Sequence, residues 1–309
     1  MAPHFSVTFY GCRGSFPVAG PQFQRYGGAS PCVVVRAGTR TIILDAGSGI
    51  IAHGNAMLAE CKKNKVAPVA DIFITHLHLD HLIGLPYFNP IYMPQASVNI
   101  WGPRMGSYDS FEAALNTFIH PPFFPVPLYE MQSSKQFTDI TEAHAVYYLK
   151  GQSRPVMLLK HHPDTVLPDP EDIEVEVHCM RGYNHPKSGV FIYKIIHDGK
   201  TVVYATDTEG YVHGDQRLTA FAKDADVLIH DAMYTNNRYL SMPSSTQGYG
   251  HSTVEIAAGV ARRANVKKLF LFHHDPGSTD DALDAVGELG KQEFENSEVA
   301  RDGLTYDVI

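Results

Sequence analysis

The chain has 309 residues, 44 % of them apolar, and a formal net charge of −8. That is enough apolar chain for one large domain or two small ones, and an acidic chain with no long basic run argues against a dedicated nucleic-acid footprint while leaving room for a local basic pocket. No stretch approaches about 18 consecutive apolar residues, which excludes a membrane-spanning helix, and the opening MAPHFSVTFYG is too short and too polar for a signal peptide.

In chain order, residues 5–10 (FSVTFY) and 32–37 (CVVVRA) read as strands. A loop rich in Gly and Pro joins them and carries Arg13 and Arg25. TRTIILDAGSGI predicts a strand at 40–44 and a tight turn, and 50–63 predicts a helix ending near Lys62 and Lys63. A buried strand at 70–75 stops at His76. Residues 83–135 are rich in Pro, Phe, Tyr and Met and read as an insert covering the site, with a short helix around 109–117. Strands at 201–205, 225–230 and 268–272 follow, and a helix at about 252–264 has Ser252 or Thr253 at its cap. Several strands therefore end on a polar residue of ligand type, as when a rigid sheet presents a site from its edge. The whole chain, 1–309, reads as one domain with the 83–135 insert.

The four scattered cysteines, Cys12, Cys32, Cys61 and Cys179, form no CxxC pair and predict a reduced, cytoplasmic protein. Histidine is the richer signal, with 17 in the chain. In ITHLHLDHLIG at 74–84, His76 and His78 fall on one side of an extended chain, and Asp80 and His81 follow as it turns. Imidazole and carboxylate together suit zinc, and also manganese or iron. One stretch supplies too few ligands for two ions, so the remaining ligands must come from strand ends elsewhere. His230 or Asp231 in LIHDA could stand behind a ligand, and a satisfied core histidine fits there equally well. His161 and His162 read as surface, and His144, His178, His197 and His213 give no reason to assign function.

THLHLDH resembles the T-H-x-H-x-D-H signature of the metallo-β-lactamase superfamily. LDAGSG at 44–49, YNHPKSG at 183–189, YATDTEG at 204–210 and FLFHHDP at 270–276 resemble further segments of that superfamily in the same order. The resemblance implies an α+β fold, a four-layer αβ/βα sandwich of two mixed sheets with helices outside. It implies two divalent metal ions, one held by His76, His78, His185 and Asp207, the other by Asp80, His81, Asp207 and His273. Asp207 would bridge them. His273, directly after FLF, is preferred over its rival His274. Asp45 would orient a ligand histidine or the water rather than bind metal. GHST at 250–253 resembles the corresponding segment of the transfer-RNA 3′-processing endonucleases and their small phosphodiesterase relatives, as does GLPYFNPIYMP followed by IWGPR, which makes His251 the expected general acid or phosphate contact.

Two ions sharing a water lower its pKa, so hydroxide can attack near neutral pH. Asp80, His251 and Asp45 are the expected catalytic residues, and His251, Arg13 and Arg25 the expected substrate contacts. The expected reaction is hydrolysis of a small or cyclic-nucleotide-like phosphodiester. The alternatives are a lactonase or thioesterase on the same site and an RNA 3′-processing endonuclease. The basic arm of the processing enzymes is not evident, so a large nucleic-acid partner is not expected. Tyr87, Phe88, Phe123 and Phe124 would either line a pocket or form the core of the cover, and the exposed apolar insert points to a homodimer.

Overall fold

A computed structural model describes residues 5–104, 106–211 and 214–308. The extreme N-terminus and His213, read above, lie outside them. The first half of the chain builds a seven-stranded sheet. Its strands are β1 (Phe5–Gly11), β2 (Cys32–Ala37), β3 (Arg40–Leu44), β4 (Val69–Phe73), β5 (Ser97–Pro103) and β6 (Ser134–Ile140), closed at the other edge by the C-terminal β15 (Thr305–Asp307), in the order β15-β1-β2-β3-β4-β5-β6. The second sheet comprises β7 (His144–Leu149), β8 (Val156–Leu159), β9 (Ile173–Gly182), β10 (Val190–His197), β11 (Lys200–Ala205), β12 (Val227–Asp231), β13 (Lys268–Phe272) and β14 (Ser297–Val299), in the order β14-β13-β12-β11-β10-β9-β7-β8.

The sheets pack face to face over a core that includes Val7, Phe9, Val33, Val35 and Phe73 from the first and Val177, Tyr193, Val202, Ile229 and Phe270 from the second. The first sheet's outer face is covered by α1 (Gly49–Asn64), α2 (Phe111–Phe118) and several short 3-10 turns, through Ile50, Met57, Phe88, Phe111 and Leu115. The second sheet's outer face is covered by α3 (Gln216–Phe221), α5 (Val254–Arg263) and α6 (Asp280–Glu293). The short α4 (Asn236–Leu240) lies in the loop after β12. The result is the four-layer αβ/βα sandwich. Because both faces of each sheet are covered, β2 and β12 are apolar runs buried almost end to end rather than alternating strands.

Most of the expected strands and helices form within a few residues of their expected limits. The 83–135 segment differs from its expectation. It supplies β5, hydrogen-bonded in parallel between β4 and β6, and packs Phe88 and Phe111 into the outer core of the first sheet. Phe124 stands edge-on to the half-exposed Tyr87, and Phe123 is exposed. The segment is thus part of the sheet layer as well as its covering.

The parallel strands position the site. β3, β4, β5 and β6 run parallel in one sheet, and β11, β12, β13 and β14 in the other. Asp45 follows the end of β3, His76 that of β4, Asp207 that of β11, and His273 that of β13, so the carboxyl ends of strands from both sheets meet at one edge. Asp45 (φ 64°), Asp207 (φ 50°) and His273 (φ 61°) all adopt the left-handed conformation. That region costs a non-glycine residue roughly 1–2 kcal/mol, and such residues concentrate at functional sites.

Candidate metal centre

β4 ends at Phe73, and the next residues are held by the opposite sheet. The Phe191 amide donates to the Thr75 carbonyl at 2.9 Å, and the Tyr193 hydroxyl to the Ile74 carbonyl at 2.7 Å. The chain then turns through a single 3-10 turn at Leu79–His81, so His76, His78, Asp80 and His81 converge instead of alternating along a strand. His76, His78, His185 and Asp207 bring one ligand atom each within 4.8 Å of one another, and so do Asp80, His81, Asp207 and His273.

In the first set, His78 Nδ1 and His185 Nε2 are 3.0 Å apart, while His76 Nε2 and His185 Nε2 lie 3.6 and 3.7 Å from Asp207 Oδ2. In the second set, His81 Nε2 lies 3.1 Å from Asp207 Oδ1 and 3.2 Å from Asp80 Oδ2. His273 Nε2 lies 3.1 and 3.3 Å from the same two oxygens. Asp207 thus offers one oxygen to each set. Nε2 of His76 and of His81 is buried without a hydrogen-bond partner among the described residues. Buried polar atoms left in this state are costly, and a divalent cation would satisfy them. Two sets of imidazole and carboxylate donors therefore fit a pair of divalent ions.

The electrostatics agree. Burial pushes the His76 imidazole well below its usual pKa, and the neighbouring His81 adds to the effect, which favours the neutral form a metal needs. Burial opposes ionisation of Asp207, yet His273, His81 and His76 hold its carboxyl well below the usual range. Burial also disfavours a charged His81, but Asp207, Asp80 and Asp45 hold that imidazole well above its usual value, so the pocket calls for positive charge.

Behind the ligands, Asp45 is fully buried. It accepts from His81 Nδ1 at 2.8 Å, from the Thr75 amide at 2.8 Å and from the Tyr204 hydroxyl at 2.9 Å. This fixes the His81 ring with Nε2 turned to Asp207. His185 Nδ1 donates to the Gly250 carbonyl at 3.1 Å. Gly250 sits at φ 90°, and a Cβ there would come within 2.4 Å of His185 Nδ1, so both the turn and the approach require glycine.

His251 Nδ1 donates to Asp231 Oδ2 at 2.7 Å. Its ring stacks on His273 (4.9 Å, 20°) and stands edge-on to His185 (5.4 Å). Burial lowers its pKa, but Asp231 outweighs this and brings it up to about 9. Asp231 Oδ1 accepts from the Met233 and Ser252 amides. Asp231, His251 and His273 also cluster tightly, but the two Asp231 oxygens already accept three hydrogen bonds, so they form an orienting network. Sequence reasoning missed Glu209, two residues past Asp207. Its buried carboxylate accepts from the Gly248 and Gly250 amides and from the Tyr239 hydroxyl, folding the loop that carries His251.

Beside His185 opens a cavity of about 650 Å³, lined also by Tyr183, Lys187, Tyr211, Asn236, Tyr239 and Gln247. Three expectations need correction or choice. Arg13 is fully buried and donates to main-chain carbonyls, so it meets no substrate. Arg25 pairs with Asp281 and Asp284 of α6, outside the cavity lining. His274 is buried with Nε2 donating to the Ala300 carbonyl, which leaves the ligand position to His273. His230 donates to the Asp231 carbonyl and joins neither ligand set. His161 and His162 are exposed. No helix among the described residues is long and apolar enough to cross a membrane.

Residues 40–274 match the family model described as the beta-lactamase superfamily domain, and the chain belongs to that superfamily. With its two ligand sets it is a metal-dependent hydrolase of the metallo-β-lactamase type. Among individual proteins, it is 27 % identical over 326 residues to ribonuclease Z of Picrophilus torridus, covering 100 % of this chain and 97 % of the relative. It is 28 % identical over 324 residues to ribonuclease Z of Thermoplasma acidophilum, covering 100 % and 98 %. The fold is shared with the metallo-beta-lactamase fold protein YhfI from Bacillus subtilis (TM-score 0.62, 17 % identity, 99 % of each chain). It is also shared with the short form of human tRNase Z (TM-score 0.58, 21 % identity, 98 % and 99 %).

Proposed function

We propose that the chain hydrolyses a small phosphodiester of nucleotide size. The observation that carries this reading is the Asp231–His251 pair, an imidazole held by a buried carboxylate and packed against a ligand histidine from each metal set. When bound, two divalent cations would supply Lewis acidity to a water and to a phosphoryl oxygen; zinc suits the donors best, with manganese and iron next.

The chain's own residues do the rest. Asp45 would keep the proton of His81 on Nδ1, and Asp80 would complete the second ligand set. His251, with Nδ1 committed to Asp231, would present Nε2 to the leaving oxygen and give it a proton. Such a step is typically worth about 10²–10⁴ in rate. A departing alkoxide needs that proton. The cavity beside His185 falls in the usual range for small-ligand sites, roughly 300–1,000 Å³. Its tyrosines offer faces on which a base can stack. A net charge of −8 favours a compact diester over a long polyanion.

Full-length similarity to proteins named ribonuclease Z favours a second reading, cleavage of an RNA phosphodiester at the same centre. The test is hydrolysis by the metal-loaded protein of a cyclic nucleotide, an alkyl ester of a nucleotide, bis(4-nitrophenyl) phosphate, a precursor transfer RNA, a lactone and a thioester. His251→Ala is run beside the parent. The proposal expects cleavage of the nucleotide diesters, with a loss in the variant that is large for an alkoxide leaving group and small for 4-nitrophenolate at unchanged metal content. Turnover of the lactone or thioester alone would refute it, and cleavage confined to the RNA would move the assignment to the second reading. We also propose a homodimer, on the exposed Tyr87, Phe123 and Tyr129 of the 83–135 segment, which sedimentation would test, and a cytoplasmic location, on the four unpaired cysteines.

A further inference from the structure

The loop that leaves β1 carries no metal ligand, yet it touches ligands from both sheets. Its backbone is knitted to the exit of β13: the Gly14 amide donates to the His274 carbonyl and the His274 amide to the Cys12 carbonyl, each at 2.9 Å. The Arg13 amide donates to the Ala29 carbonyl at 2.9 Å. The Arg13 side chain, 0 % exposed, donates through Nε to the Gly27 carbonyl (2.9 Å) and through Nη1 to the Ser278 carbonyl (2.6 Å), with its guanidinium 5.1 Å from the centre of the Phe23 ring. One fork thereby ties the start of the loop, its return and the turn after His274.

The next two residues act on the second ligand set. A Cβ on Gly14 would lie 2.5 Å from Cε1 and Nδ1 of His273, so this glycine is the flat surface against which that ring rests. Ser15, at φ 62°, turns its amide onto Asp80 Oδ2 at 2.8 Å. A carboxylate oxygen has two acceptor positions. Ser15 fills one and so fixes where the other points. Asp80 comes from the first sheet and His273 from the second, and their ligand atoms stand 3.3 Å apart. Among the described residues, the loop makes no such hydrogen bond to His76, His78 or His185.

We infer that Gly14 and Ser15, clamped by Arg13, are positioning residues for one metal ion of the pair, the one held by Asp80, His81, Asp207 and His273. Arg13 acts through the loop, not on the substrate. This inference rests on the two-ion reading of the site. Residues that orient ligands typically control metal affinity by about 10- to 100-fold, and here the effect is confined to one of two sites.

The test is titration of the metal-free protein with Zn²⁺ in competition with a chromophoric chelator, together with metal analysis after dialysis, on the parent, Gly14→Ala, Arg13→Gln and Ser15→Gly. The parent takes two ions. Gly14→Ala and Arg13→Gln keep one at parental affinity and bind the other 10- to 100-fold more weakly, while Ser15→Gly, which keeps the amide and relieves the left-handed backbone, keeps both. If Arg13→Gln fails to fold, Gly14→Ala decides. Two ions at parental affinity in Gly14→Ala, or a parallel weakening of both, would overturn the inference. A parent that takes no pair of ions would instead refute the two-ion reading beneath it.

Discussion

Asp45→Asn separates the work of a buried carboxylate from its shape. Asparagine tolerates the left-handed backbone at this position (φ 64°), so the turn after β3 survives. The chemistry does not. Oδ1 accepts from the Thr75 amide, and Oδ2 accepts from His81 Nδ1 and the Tyr204 hydroxyl, all in a fully buried pocket. An amide has one oxygen and one NH₂. With the oxygen toward His81, the NH₂ faces the Thr75 N–H, two donors opposed. With the oxygen toward Thr75, the NH₂ faces His81 Nδ1, which can then only accept, and the His81 proton moves to Nε2, the atom needed for metal. Either way the buried charged acceptor is gone, and hydrogen bonds to such an acceptor are worth about 1.5–3 kcal/mol each. In the second arrangement metal affinity falls as well, by about 10- to 100-fold. Denaturant unfolding of the metal-free variant measures the first effect and zinc titration the second. A variant that binds both ions as the parent does, with unfolding free energy unchanged, would refute the role given to Asp45.

Chelation should lower the melting temperature. At free metal 100-fold above its dissociation constant, each ion contributes about 2.7 kcal/mol, so melting should rise with the logarithm of free metal, and a flat response would contradict the ligand assignment. Thr253 caps α5 by accepting from the Ile256 amide, so Thr253→Ala should cost about 1 kcal/mol in urea unfolding, with displacement of His251 visible as slower turnover. Burial raises the Asp302 carboxyl to about 6, against an amide bond from Ala29 and the nearby Arg13, which lower it. The folded chain therefore binds this proton more tightly than the unfolded one. Its stabilising effect is complete below about pH 4 and is lost as pH rises to about 6, by roughly 2–3 kcal/mol. Asp302→Asn should flatten stability across that window, and an unchanged pH profile would rule the effect out.

The legibility of the site followed chain distance. His76, His78, Asp80 and His81 lie within six residues and were readable from donor chemistry, whereas His185, Asp207 and His273 needed the resemblance because only the docking of two sheets brings them near. Strands ending at the site were plain in sequence because they are apolar runs buried on both faces. The antiparallel half of the second sheet was not read: β9 (IEVEVHCMRG) alternates and half of it faces outward, and β8 is short and partly exposed. Arg13 misled because a loop arginine is usually solvated, and nothing local reveals that its donors will find the carbonyls of Gly27 and Ser278. Asp231 stood out only as one of two candidates, since its partner His251 is 20 positions away.

The ligands are divided between the layers: His76, His78, Asp80 and His81 follow strands of one sheet, and His185, Asp207 and His273 those of the other. No sheet alone holds a complete set. Hydrolytic competence is therefore a report that the two halves have docked in register. A nascent or half-unfolded chain, with either layer formed and the other loose, has no assembled centre and therefore no hydrolytic activity to misdirect.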